Sequence, residues 1–550
     1  MDLFLLAWAI IFGAFVRFTP ALDSPFPIND GGLFYAMVGD LIAADYSLPF
    51  YSTYNATHIP FAYPPLPFYL TALLSKGLGI PLLILMRWLP PLVTTLTIPA
   101  FYLLARAVLK SRPQASLASV AFAMLPSAFD LFIVGGGLTR SFGALFSLLT
   151  LFCVYRLFSG RERKYLFYTI LCASLLVYSH PEVTFHTVWI VALLWLFLGR
   201  DRQSLGYSVI VAIGVLLCTA PWWGVVLWRH GFEPFRSIMQ SGWHQWLFWT
   251  PLLRLDFSGE RFLGIITVLG VVGFLAALLR RNFLLVAWLL LPFLTEPRNP
   301  YFSAAVPLSM LAAIGFDEVV LPGLRALEGK IVSAPSRGVG QVSNLPSARW
   351  RLWKAALRYP SGETGFPLDT RSGKLLLTFF LIYTLINAFA FAAPLAGLRV
   401  TDEELAAVEW VNANTPANAR FALLTYGDPF NTPIQEWFPA LTGRINLAVV
   451  QGYEWLPGRQ FYTRRDDFPL LMRCLFLDVK CLEDWGESRQ RDFDYVYVSQ
   501  SLVGKAGASD QDVILGNSLI QSMQSSPDYR LVYASERIKI FRRLTAPKVP

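Results

Sequence analysis

Eleven apolar stretches, strung along the first 396 residues, decide most of what this chain can fold into. The first is Leu3 to Leu22, and the others lie near 82–105, 114–134, 138–158, 164–179, 184–199, 205–228, 262–279, 282–295, 301–321 and 375–396. About 20 apolar residues in a helix match the hydrocarbon thickness of a bilayer, and some of these runs are short of that. Repeated this often, they predict a polytopic α-helical membrane protein with about 11 transmembrane helices. Of 550 residues, 55% are hydrophobic and only 15% charged, which excludes a disordered or nucleic-acid-coating chain despite a net charge of +9. The first run is too long for a signal-peptide core and lacks a small-residue cleavage site, so it reads as an uncleaved span.

The basic surplus belongs to the membrane half. From residue 397 onward there are 17 Lys and Arg against 19 Asp and Glu, which leaves 29 against 18 for the rest. Arg106/Lys110/Arg112, Arg156/Arg161/Arg163/Lys164, Arg200/Arg202, Arg280/Arg281 and the basic 322–374 loop face the cytoplasm by the positive-inside rule. The loops 23–81, 135–137, 180–183, 229–261 and 296–300 then face outward, together with everything after 396. Residues 66–74, behind Tyr63-Pro64-Pro65, read as a helix lying in the outer interface rather than as a span. The expected location is the plasma (inner) membrane, with the C-terminal domain outside the cytoplasm.

Residues 397–550 carry the pattern of a soluble α/β domain. Asp402–Asn414 and Asp510–Gln524 have helical spacing, while Arg420–Thr425, Tyr495–Ser499, Tyr529–Tyr533 and Ile538–Arg542 read as strands. Cys153, Cys172 and Cys218 sit in apolar runs as small hydrophobes. Cys474 and Cys481 fall in the polar region with six residues between them, where a disulfide forms only if that region is extracellular and the geometry allows.

Candidate chemistry gathers at the outward ends, where acids near lipid are costly unless used. Asp30, in Pro27-Ile28-Asn29-Asp30-Gly31-Gly32, follows the first span directly; it either caps the helix beginning at Leu33 or serves as a cation ligand or general base. His180-Pro181-Glu182 with His186 forms a second cluster, in which Glu182 and His186 share a helix face. With Asp30 and Glu296 these residues, His180 and Glu182 above all, are the candidate ligands of a divalent cation (Mg or Mn); helix-start capping is the plainer reading. Arg298 and Arg140 are candidates for pairing with a lipid phosphate, or for ordinary headgroup contact. Asp130 lies at another outward end, and Arg17 reads as a snorkelling residue.

Around Asn29-Asp30-Gly31 the chain resembles the GT-C superfamily of membrane glycosyltransferases, which take sugars from polyprenyl phosphate or pyrophosphate carriers. Tyr63-Pro64-Pro65-Leu66-Pro67-Phe68-Tyr69 is similar to the protein mannosyltransferase and aminoarabinose transferase branch, whereas the overall layout looks more like the catalytic subunit of oligosaccharyltransferase. The resemblance implies that Asp30 is the first-loop catalytic aspartate, either metal ligand or base. It also implies departures: Gly137-Leu138-Thr139-Arg140 stands where oligosaccharyltransferases carry a second acidic pair, and their tryptophan-tryptophan-aspartate motif is replaced by Thr425-Tyr426-Gly427-Asp428. Tyr63, Glu436, Trp437 and Arg444 are then candidate acceptor-groove residues, with Trp437 either stacking on a sugar or buried in the core.

Two functions of different class follow. One is an outward-facing glycosyltransferase whose partners are a polyprenyl-linked sugar donor, membrane lipids and a lipid, glycan or protein acceptor, with no nucleic acid. The other is a transporter or flippase of a lipid-linked glycan or small solute, which predicts internal repeats and acids at mid-membrane depth. A non-catalytic assembly protein of the same fold is a third reading.

Overall fold

The computed structural model describes residues 1–241, 250–255, 257–295, 299–332, 370–500 and 516–544. Each of the eleven apolar runs forms a helix, and among the described residues seven are long and apolar enough to cross a membrane: Asp2–Asp23, Leu82–Leu109, Gly137–Gly160, Pro181–Leu198, Arg202–His230, Tyr301–Ala326 and the apolar start of Arg371–Asn414. The other four, Arg112–Met124, Lys164–Val177, Ile265–Leu279 and Phe283–Leu290, are shorter than the sequence suggests. The expected span 114–134 ends at Met124 because Pro126 has no amide hydrogen to continue the ladder. The chain there bends through a 3-10 turn and the short helix Asp130–Ile133 into the turn Gly135–Gly137. Leu216, Leu217, Phe379, Ile382 and Ile386 stand exposed on these helices, as lipid-facing side chains do in an integral membrane protein.

Arg17 overturns the snorkelling expectation. It is fully buried: its guanidinium donates to Gly13 O (3.1 Å) and Ala123 O (2.8 Å) and lies 4.8 Å above the Phe129 ring. Arg17 thereby ties the first helix to Arg112–Met124.

The segment between the first two long helices carries the helix Gly32–Ala43, a two-residue ladder of β1 (Tyr51–Ser52) with β2 (Ile59–Pro60), and the helix Leu66–Leu78. The C-terminal domain begins with Asp402–Asn414, opened by a capping box in which Thr401 and Glu404 satisfy each other's backbone amides. Its sheet contains β3 (Arg420–Thr425), β4 (Ile445–Asn446), β5 (Tyr495–Ser499), β6 (Tyr529–Ala534) and β7 (Ile538–Arg543), ordered β4-β3-β5-β7-β6. β3 runs parallel to β4 and β5, and the β6–β7 hairpin adds antiparallel to β5. β3 is buried from Phe421 onward and β5 along its whole length, as strands of a sheet covered on both faces are. Cys474 and Cys481 are disulfide-bonded, with 5.5 Å between their Cα atoms. The helix expected over 510–524 appears as Asn517–Ser525, its earlier half lying outside the described residues.

Candidate functional site

Asp30 sits in a backbone that few sequences can follow. Asn29 has φ +56° and Gly31 φ +125°, so the residues on either side of Asp30 lie in the left-handed region, which Asn tolerates and Gly adopts freely. This kink presses the loop against the Gly135–Gly137 turn. Gly135 N donates to Ile28 O (2.7 Å), and Gly136 N donates to Asp30 Oδ1 (2.9 Å). A Cβ on Gly136 would lie 2.2 Å from Asp30 Oδ2, so only glycine allows the approach. The other carboxylate oxygen faces Arg140 Nη1 at 3.6 Å, one turn into the helix Gly137–Gly160. Both side chains keep part of their surface open, 21% for Asp30 and 29% for Arg140, enough for a substrate to reach them.

The expectation that Asp30 caps the following helix is not met. Its carboxylate turns to Gly136 and Arg140, and Glu436, on the soluble-domain helix Pro433–Thr442, takes the amides of Gly31 and Leu33 on one oxygen, Oε1, at 3.1 Å each. Glu436 is buried, and burial followed by the charge of Asp30 pushes its carboxyl up to about 8. Around this pair stand Tyr63, whose hydroxyl lies 3.3 Å from Thr139 Oγ1, and the rings of His180 and Trp455, at 6.1 and 5.2 Å from the Tyr63 ring. Tyr63, Glu182 and Glu436 all lie within electrostatic reach of Arg140.

No family model matches this chain, and no curated protein matches it in sequence. Solved structures do match. The archaeal oligosaccharyltransferase AglB from Archaeoglobus fulgidus, in complex with an inhibitory peptide and a dolichol-phosphate, aligns over 90% of this chain and 69% of its own, with 14% identity and a TM-score of 0.53. ArnT from Cupriavidus metallidurans aligns over 98% and 99%, with 13% identity and a TM-score of 0.54. Arabinofuranosyltransferase AftD from Mycobacteria aligns over 98% of this chain and 40% of its own, with 16% identity and a TM-score of 0.54. The fold is that of the GT-C membrane glycosyltransferases.

In this GT-C fold the expected site residues separate into three groups. Asp30, Arg140, Tyr63, His180, Glu182 and Glu436 come together at one end of the helix bundle. Trp437 and Arg444 are engaged elsewhere, inside the protein. Trp437 is fully buried, donating Nε1–H to Asn29 O (2.8 Å) and packing edge-on against Phe26, so neither ring face is open to a sugar. Arg444 spends its guanidinium on Thr415, Asn412 and Thr442 inside the soluble domain. Glu296 and Arg298 lie outside the described residues.

His180 acts at its own helix start, with Nδ1 accepting from Val183 N at 3.3 Å. Among the described residues no three His, Cys, Asp or Glu side chains converge as a cation site, and the partner of Asp30 is a guanidinium. Asp30, His180 and Glu182 thus do not converge as a cation site among the described residues, and Glu296, the fourth expected ligand, lies outside them.

Sequence reasoning missed the segment Tyr453-Glu454-Trp455. It brings Trp455 against Tyr63 and Glu454 into electrostatic reach of Tyr63 and Glu436. The signal was present in an acid between two aromatics after Gly452, a glycine at φ +91°.

Proposed function

We propose that this protein transfers a sugar from a polyprenyl-phosphate or pyrophosphate carrier to a lipid, glycan or protein acceptor on the outer face of the membrane. The observation that carries the reading is the Asp30–Arg140 pair, partly open and with Asp30 held by the Gly136 amide, within a GT-C fold. The AglB neighbour holds a dolichol-phosphate and ArnT has been seen bound to undecaprenyl phosphate, which supports a polyprenyl carrier here. An acceptor hydroxyl attacks the anomeric carbon while Asp30 takes its proton; the bond from that carbon to the phosphate oxygen breaks, and the electron pair leaves with the phosphate beside Arg140. Orientation and charge stabilisation do most of the work in such a step. A structure of the Archaeoglobus fulgidus enzyme contains Zn and sulfate; among the described residues of this chain no three acidic, His or Cys side chains converge on a cation, and no step here is routed through one.

Outward orientation is supported by the charge alternation of the loops and by the Cys474–Cys481 bond, since disulfides persist in oxidising compartments. The test is transfer of labelled sugar from a panel of polyprenyl-phosphate donors by purified protein in lipid, with and without chelator. Asp30→Asn should lower the rate roughly 10²–10⁴-fold. Full activity in that variant would remove Asp30 from the reaction, and loss of wild-type activity in chelator would bring in a cation held with residues beyond those described.

A further inference from the structure

The helix Gly32–Ala43 starts with a problem that its own sequence cannot solve. The first four amides of any helix lack intrahelical partners, and a side chain just before the first turn normally caps them. Here that position is Gly31, which has no side chain and cannot acquire one: its φ is +125°, and a Cβ would lie 2.9 Å from the carbonyl carbon of Gly135. The tight approach that brings Asp30 to Gly136 thus forbids a local cap.

Glu436 supplies the cap from 405 positions away in sequence, with Oε1 accepting from Gly31 N and Leu33 N. The surrounding contacts are equally close. A Cβ on Gly32 would lie 2.5 Å from Glu436 O, the same carbonyl that accepts from Tyr54 Oη–H at 2.8 Å. On the other side of Asp30, Asn29 donates its amide to Leu398 O (2.6 Å) and its Nδ2–H to Phe430 O (3.1 Å), and accepts from Trp437 Nε1. The partners named for the amides of Asn29, Gly31 and Leu33 and for the Asn29 carbonyl and side chain belong to residues 398–437, so the soluble domain shapes the backbone flanking Asp30 together with the Gly135–Gly137 turn, whose Gly135 N donates to Ile28 O.

We infer that Glu436 is a positioning residue: through the Gly31 and Leu33 amides, the docked soluble domain fixes the loop that aims Asp30 at Arg140 and the substrate. The assignment of an effect on turnover rests on the transferase reading above, whereas the cap itself does not. Because Glu436 acts on the loop and not on the donor, its loss should lower kcat and leave the donor KM alone. A glutamine should substitute, since its amide oxygen can accept the same two N–H groups.

The test compares full-length wild type, E436A and E436Q in lipid, using the polyprenyl-phosphate sugar that wild type transfers fastest, together with amide hydrogen exchange of segment 28–36. E436A should lose kcat on the order of 10²-fold, as for a displacement of about 1 Å at a reacting group, with the donor KM within about twofold. Its Gly31 and Leu33 amides should exchange faster, while E436Q keeps both kcat and protection. Wild-type kcat or wild-type protection in E436A would overturn the inference, as would an E436Q as impaired as E436A. If E436A does not fold, E436D takes its place, keeping the acid but withdrawing it by one methylene; unchanged kcat in E436D would overturn the inference. A wild type that transfers from no donor counts against the transferase reading, and the exchange comparison still decides the cap.

Discussion

The membrane half and the soluble domain both grip the segment Asn29–Leu33, but they hold different atoms. From the membrane side, the Gly136 amide and Arg140 take the carboxylate of Asp30. From the soluble side, Glu436, Trp437, Leu398 and Phe430 take backbone amides, a backbone carbonyl and the Asn29 side chain, and leave the carboxylate alone. The membrane side therefore acts on the carboxylate itself, and the soluble side on most of the backbone that carries it. Damage on the membrane side should change the carboxylate's place and surroundings directly, and damage on the soluble side should act through the backbone that aims it.

Gly136→Ala gives the largest break on the membrane side. The new Cβ would stand 2.2 Å from Asp30 Oδ2 and 2.5 Å from its Cγ, so the carboxylate must leave its place. Transfer should fall roughly 10²-fold or more, as for a displaced reacting group. Overpacking typically costs about 1–3 kcal/mol, which the folded protein can absorb. The labelled-sugar assay beside a thermal melt separates these effects, and an active Gly136→Ala would show that Asp30 need not sit against this turn.

Arg140 comes next, because it faces both Asp30 and the place proposed for the leaving phosphate. Arg140→Gln should cost transfer about 10²-fold, within the range for losing one stabilising donor. Arg140→Lys keeps the charge but loses the planar fork, and should recover part of the rate. Steady-state kinetics split the roles: a raised donor KM assigns Arg140 to the phosphate, whereas a fall in kcat alone assigns it to holding Asp30.

Legibility in the sequence divides along the same line. The helices were readable because a bilayer imposes length and apolarity on each run, and Asp30 drew attention because an Asn-Asp-Gly-Gly stretch after a span is locally unusual. Arg140 was recognisable as a phosphate candidate, but not as the partner of Asp30. That pairing depends on Pro126 ending a helix early and on a turn 105 to 107 positions beyond Asp30 folding back. The role of Glu436 had no local signal at all: the demand arises at Gly31, and the supply comes from a helix in another domain. Trp437 stayed open between two readings for a related reason, since an aromatic beside a suspected groove and an aromatic locked under Asn29 look alike until burial is known. β4, only two residues long, carries too little alternation to be seen.

The acidity of Glu436 offers a gentler probe of the soluble side. Its folded carboxyl is raised to about 8, first by burial and then by Asp30, with Glu454 adding to the repulsion. Tyr54 touches the Glu436 backbone carbonyl, and Arg140 lies within electrostatic reach across the loop. A carboxyl raised on folding binds a proton that the unfolded chain releases near its ordinary value, so stability is fully present below that value and declines as pH rises toward 8. The apparent Tm should fall between pH 5 and 8.5 more steeply in wild type than in Glu436→Gln, which has no proton to lose. Parallel curves would mean that Glu436 stays ionised in the folded protein and holds the two amides as a carboxylate.

Arg444→Ala should have the smallest effect on transfer and tests whether the soluble side matters only at its contact with the loop. Arg444 makes five hydrogen bonds to Thr415, Asn412 and Thr442, fastening the end of the helix Asp402–Asn414 to the turn after Pro433–Thr442. Removing the guanidinium should cost about 1–3 kcal/mol by leaving those acceptors unpaired. None of these bonds touches Asn29–Leu33, and the helix that carries Glu436 keeps its contacts with Tyr54 and Gly31. Transfer should therefore stay within about threefold of wild type while the apparent Tm drops. A loss of turnover comparable to that of Glu436→Ala would mean that the whole soluble domain, rather than its one capping carboxyl, sets the position of Asp30, because strain at the far end of the helix Pro433–Thr442 would then be transmitted along its axis to the loop.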